Sequence, residues 1–201
     1  MDGSTRQLPG PAHLAEAHRA ALEVTAKVVE QVTDADLARP TPCEDWDVRA
    51  LLNHLVAGNL WVGELVDGRT IAEVGHRLDG DVLGDDPPAA YRASAEVAAE
   101  RFGRPHAMDL PVAVSYGPVP GSVYCGHRLI DVLVHGWDLA VATGQPADLP
   151  PDLVDAALEV VLPQAALLSA SGAFGDHPAD PGPEVPPQDR LLRVLGRTPR
   201  R

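Results

Sequence analysis

The chain has 201 residues, 45% of them hydrophobic, which is enough for one core over 1–201. Its net charge is −13, with a pI near 4.8, so nucleic acid and anionic lipid are not expected partners. No apolar run reaches the ~18 residues of a membrane helix, and the N-terminus lacks a signal pattern, so a cytoplasmic location is the default expectation.

In chain order, the first helix is expected from about Ala12 to Val32, because Leu14, Ala17, Ala21, Val24, Val28 and Val32 recur at helical spacing. The connector ARPTPCEDWDV follows, punctuated by Pro40 and Pro42. A second helix spans Val48 to Val66, with Asp45 or Asp47 as N-cap and Asp67-Gly68 as its stop. The acidic, glycine-rich stretch 69–88 reads mostly as loop, with one short helix possible in TIAEVGHRL. A third helix runs from about Ala89 to Phe102. DLPVAVSYGPVPG reads as an irregular or short β connection. The fourth helix covers Ser122 to Ala142 and ends at Thr143-Gly144. Another helix is expected over Pro151–Leu168, then a proline-rich strap over Ser169–Pro187 and a short helix at Asp189–Leu195. Four long amphipathic segments without confident strand pairs predict an all-α four-helix bundle with an added C-terminal helix and extended tail.

Chemistry concentrates on two of these helices. On the fourth, His127, Asp131, His135 and Asp138 form one polar stripe hemmed by Ile130, Leu133, Val134 and Trp137. Asp131 and His135 are one turn apart, so both can reach a single ion. The alternative is an i, i+4 pair on a wet surface. On the second helix, His54 shares a stripe with Leu51, Gly58, Trp61 and Leu65. Glycine at 58 costs about 1 kcal/mol of helix propensity relative to alanine. It leaves space beside the imidazole for a ligand, where substrate is expected, or for a closely packed helix. For His54 the competing reading is a core histidine. Two imidazoles and one carboxylate suit zinc, nickel or ferrous iron with positions left open.

Trp46 and Trp61 read as packing residues, and Trp137 can do the same or wall the pocket. Cys43 and Cys125 read as free thiols rather than a disulfide framework. Nucleotide and nucleophile-elbow signatures are absent: no GxGxxG at a strand–helix junction, no GxxxxGK[ST], no HExxH, no CxxC and no GxSxG.

TPCEDWDVRALLNHLV, DVLVHGWDLAVATG and DRLLRVLGRTP together resemble the actinobacterial DinB-like metal-binding proteins related to the N-terminal domain of mycothiol-dependent maleylpyruvate isomerase. The resemblance covers essentially the whole chain. It implies a helical bundle that binds a divalent metal through His54, Asp131 and His135. Where this chain has Asp131 the isomerase pattern usually carries Glu, one methylene longer. The resemblance further implies zinc, or else nickel or iron, with mycothiol as a possible cosubstrate in isomerisation or S-transfer on a small electrophilic molecule. His127 and Asp138 are then the candidates for orienting a ligand or moving a proton. Two other readings stay open: a thiol-independent metal-dependent lyase, hydrolase or isomerase, and a non-enzymatic metal or small-ligand binder. Apolar stripes on the first or fifth helix can serve a homodimer.

Overall fold

The computed structural model describes residues 11–43, 46–164 and 180–199. Helix α1 (Pro11–Val29) buries Leu14, Ala17, Ala21, Leu22 and Val29, the stripe that its spacing predicts. It stops short of Val32 because the N–H groups of Gln31 and Val32 bond three residues back, to Val28 and Val29 at 3.1 Å, tightening the last turn. Helix α2 (Val48–Val66) opens at Asp47, whose carboxylate accepts the Ala50 N–H at 2.8 Å. The alternative cap, Asp45, lies outside the described residues.

The loop region 69–88 holds one short helix, α3 (Ile71–Val74), closed by a Thr70–Glu73 capping box and ended at Gly75. Helix α4 (Pro87–Phe102) starts two residues earlier than the sequence predicts, because Pro87 and Pro88 fit its first positions behind the Asp86 cap. The valine- and proline-rich segment forms a hairpin of β1 (Pro111–Val114) and β2 (Gly117–Pro120). Its antiparallel register runs from Pro111 opposite Pro120 to Val114 opposite Gly117, leaving Ser115 and Tyr116 at the tip. Helix α5 (Gly121–Thr143) follows directly and is stopped by Gly144 in the left-handed conformation.

Helix α6 (Pro151–Val161) passes into a 3-10 turn over Leu162–Gln164. The rest of the helix expected to Leu168, and the strap over 169–179, lie outside the described residues. Helix α7 (Pro187–Val194) is the expected C-terminal helix.

The four long helices pack in a ring. α1 lies against α4 and α5, and α2 lies against the same two. Leu51, Leu52, Leu55, Leu129, Leu133 and Leu139 are fully buried between them. α6 covers α5 and α1, and α7 packs on α6. The fold is therefore mostly helical, as predicted, with a small two-stranded addition. Among the described residues no helix is long and apolar enough to cross a membrane. For the site, the decisive feature is that α2 and α5 are neighbours in the ring.

Candidate metal centre

That adjacency brings His54 of α2 against Asp131 and His135 of α5. One ligand atom from each lies within 4.8 Å of the other two. Both imidazoles converge on the same carboxylate oxygen: Asp131 Oδ1 is 3.0 Å from His54 Nε2 and 3.5 Å from His135 Nε2. Zinc bonds of about 2.0–2.2 Å place tetrahedral neighbours about 3.3–3.6 Å apart. The His135 distance falls in this range and the His54 distance just below it, with the trio as a whole held within 4.8 Å.

The hydrogen-bonding of the ring strengthens the fit. His135 Nδ1 lies 2.9 Å from Asp138 Oδ2. Donation of its proton to that buried carboxylate leaves a lone pair on Nε2. A lone pair facing a carboxylate oxygen forms a donor pair that a proton or a divalent cation can bridge. The donor set of two imidazoles and one carboxylate oxygen therefore suits such an ion.

Asp131 has a second anchor, which the sequence reading missed. Arg128 Nη1 donates to Asp131 Oδ2 at 2.8 Å, so the outer oxygen is engaged while the inner one faces the histidines. Burial alone would raise the Asp131 carboxyl, but Arg128, His135 and His54 outweigh it and hold it well below the usual carboxylate range. Arg128 Nη2 reaches Asn59 Oδ1 at 3.2 Å. Asn59 in turn donates to Ser94 at 3.3 Å, and Ser94 donates to the Tyr91 carbonyl at 2.9 Å. A buried polar chain thus ties the site to α4.

Of the two expected uses of the space at Gly58, the packed neighbouring helix is the one observed beside the glycine, while the open cleft lies further along the same face. A Cβ at that position would run into the Arg128 guanidinium, 2.6 Å from its Cζ. The glycine notch is where α5 delivers Arg128. Its only sequence signal is a lone arginine three residues before Asp131, one of many in the chain.

Trp46 also has a larger part than packing. Its ring centroid lies 4.5 Å from that of His54 and 5.6 Å from that of His135, so it walls the two imidazoles. The TPC turn sets it there: Thr41 Oγ1 donates to the Trp46 carbonyl at 2.9 Å, and the Trp46 N–H bonds Cys43 O at 2.9 Å. Trp137 takes the packing alternative, buried beside Val24 and Val28 of α1.

The stripe on α5 divides in function. Asp138 is fully buried behind His135 and has no path to a substrate, so its place is to orient the ring. His127 stands apart from the trio. Its Nε2 lies 3.1 Å from Gln164 Oε1, and its Nδ1 is 2.8 Å from the Tyr116 hydroxyl. Gln164 Nε2 donates to Val160 O, so its oxygen is the group that accepts the His127 Nε2 proton. Nδ1 is then the acceptor for Tyr116. Both residues line a cleft of about 440 Å³ with Gly58, Trp61, Arg128 and Asp131. Cys125 is buried, and burial pushes its thiol up, which makes it an inert packing residue. Cys43 is part-buried.

The profile of the mycothiol maleylpyruvate isomerase N-terminal domain family matches residues 18–140, well over half of the chain. The chain belongs to this family. The matched span contains His54, Arg128, Asp131, His135 and Asp138 and stops before α6. Two similar curated proteins are the uncharacterized proteins Rv0738 and MT0763 of Mycobacterium tuberculosis strains H37Rv and CDC 1551. Each is 39% identical over 188 residues, covering 92% of this chain and 97% of the relative. Among solved structures, the mycothiol-dependent maleylpyruvate isomerase superposes with a TM-score of 0.59 at 16% identity, over 82% of this chain and 73% of that one. The helical architecture is therefore the DinB-like isomerase fold.

Proposed function

We propose that this family member is a divalent-metal-dependent enzyme that uses a low-molecular-weight thiol, mycothiol, to isomerise or transfer sulfur to a small electrophilic substrate. The observation that carries the reading is the convergence of His54 Nε2 and His135 Nε2 on Asp131 Oδ1, in a chain of the mycothiol maleylpyruvate isomerase N-terminal domain family. These three residues would hold the ion, with zinc the first candidate and nickel or iron the others. A divalent cation there favours the deprotonated form of a thiol and raises its nucleophilic fraction at neutral pH.

The chain's own groups do the rest. Arg128 keeps one oxygen of Asp131 turned outward, and Asp138 keeps His135 Nε2 turned inward. Trp46 shields the imidazoles from water on one side. The cleft beside Asp131 offers Trp61 and Tyr116 as apolar walls for a small molecule. At its far side His127 Nδ1 can take a proton through the Tyr116 hydroxyl, with Gln164 holding the opposite nitrogen.

The test is direct. Protein purified without added chelator should contain close to one divalent ion per chain, and should turn over a maleylpyruvate-type substrate only with mycothiol. His135→Ala should lose both. A metal-free wild type that His135→Ala matches in every respect would overturn the reading. Turnover that persists without mycothiol would retain the metal and remove the thiol.

A further inference from the structure

Arg197 lies 59 residues beyond Asp138 in sequence and outside the span that the family profile matches. The fold nevertheless brings it to the back of the metal centre. Leu191, Leu192, Val194 and Leu195 are buried and anchor α7 against α6. Gly196 then takes a positive φ of 75°, a conformation that favours glycine. This turn lets the Arg197 N–H bond Leu192 O at 2.8 Å and sends the side chain back toward α5.

There the guanidinium grips both oxygens of a fully buried carboxylate. Arg197 Nη2 donates to Asp138 Oδ2 at 2.9 Å and Nε to Oδ1 at 3.4 Å, while Nη1 is taken by Leu195 O at 2.8 Å. Asp138 Oδ2 is the same oxygen that receives His135 Nδ1. A planar fork on two oxygens fixes the rotation of the carboxylate plane. The fixed plane in turn selects which ring nitrogen of His135 carries the proton.

We infer that Arg197 is a positioning residue: through Asp138 it holds His135 with the proton on Nδ1 and the Nε2 lone pair aimed at Asp131 and His54. The consequence for metal affinity rests on the function proposed above, whereas the consequence for the ring does not. A purely structural Arg197 would staple the C-terminal segment and leave the imidazole indifferent to it.

Two readouts separate these cases. In metal-free protein labelled with ¹⁵N-histidine, His135 should show the Nδ1–H form in wild type and a mixture of tautomers in Arg197→Ala. Zinc affinity, measured by competition with a chromophoric chelator, should fall roughly 10- to 100-fold in Arg197→Ala, as for other supports of metal-binding histidines. It should fall little further when Arg197→Ala is added to Asp138→Asn, because both act on one path. A folded Arg197→Ala with wild-type tautomer and affinity overturns the inference, as does a loss that adds in full to that of Asp138→Asn. If Arg197→Ala does not fold, Arg197→Lys decides: one ammonium cannot grip both oxygens, so partial loss of the Nδ1–H signal is expected and an unchanged signal overturns the inference. If the tautomer responds as expected but no form takes up zinc, the positioning role stands and the metal-centre reading falls.

Discussion

At the scale of single residues, the site depends on a glycine that holds a place for an arginine. Alanine at 58 would improve helix propensity by about 1 kcal/mol, yet its methyl would occupy the position of the Arg128 guanidinium. Arginine is long enough to swing aside, so the fold should survive. Gly58→Ala is therefore expected to change the melting temperature little while releasing Asp131 Oδ2 and weakening metal binding several-fold. Chelator competition beside a thermal melt checks this; equal metal affinity in the two proteins would show that Arg128 does not orient Asp131. The sequence shows His54, Asp131 and His135 as candidates because each interrupts an apolar face at helical spacing. It hides Arg128 and Arg197, because neither an isolated arginine nor a glycine notch carries a periodic signal. Their roles arise only where α5 meets α2, and where the tail returns to α5.

At the scale of elements, the start of α2 aligns two groups at once. Asp47 caps the helix that carries His54, and the preceding Thr41–Cys43 turn places Trp46 over the imidazoles. Asp47→Ala should cost about 1 kcal/mol of stability, as N-cap losses do. It should also fray the first turn of α2 beneath Trp46. A drop in the urea midpoint with a change in tryptophan emission is the expected result; a lower midpoint with unchanged emission would separate the cap from the wall. The long helices were legible because each repeats apolar residues at 3.6 spacing between proline, aspartate and glycine stops. The hairpin was only half legible: Val112, Val114 and Val119 favour strand, but Pro111, Pro118 and Pro120 blur a pattern of eight strand residues. Its tip residue Tyr116, partner of His127, had no signal of its own.

At the scale of the whole molecule, a buried histidine contributes to the response to acid. His18 is fully buried, edge-on to Phe102 at 5.0 Å. Neither ring nitrogen has a hydrogen-bond partner among the described residues. Burial, then the positive charges of Arg128 and Arg19, lower its pKa from 6.5 to about 3. In the unfolded chain the same group takes a proton below about pH 6.5. The unfolded state thus binds more protons between these values, and stability falls as pH falls through the window, by about 1.4 kcal/mol per pH unit once below 6.5. His18→Leu should flatten the dependence of unfolding free energy on pH by about one proton between pH 6 and 4. Urea titrations at several pH values measure it; an unchanged slope would show that His18 is protonated in the folded state.

Arg197 has a temporal consequence too. Synthesis runs from the N-terminus, and early parts of a chain fold first. His54, Asp131 and His135 leave the ribosome before the segment that carries Arg197. For that interval the proposed ligands are present, and Asp138 faces His135 without the Arg197 grip that fixes its carboxylate plane, so ion capture by the nascent chain would be weaker than capture once Arg197 is in place. The docking of the segment that carries Arg197, just beyond α7, would then mark the point at which loading can begin.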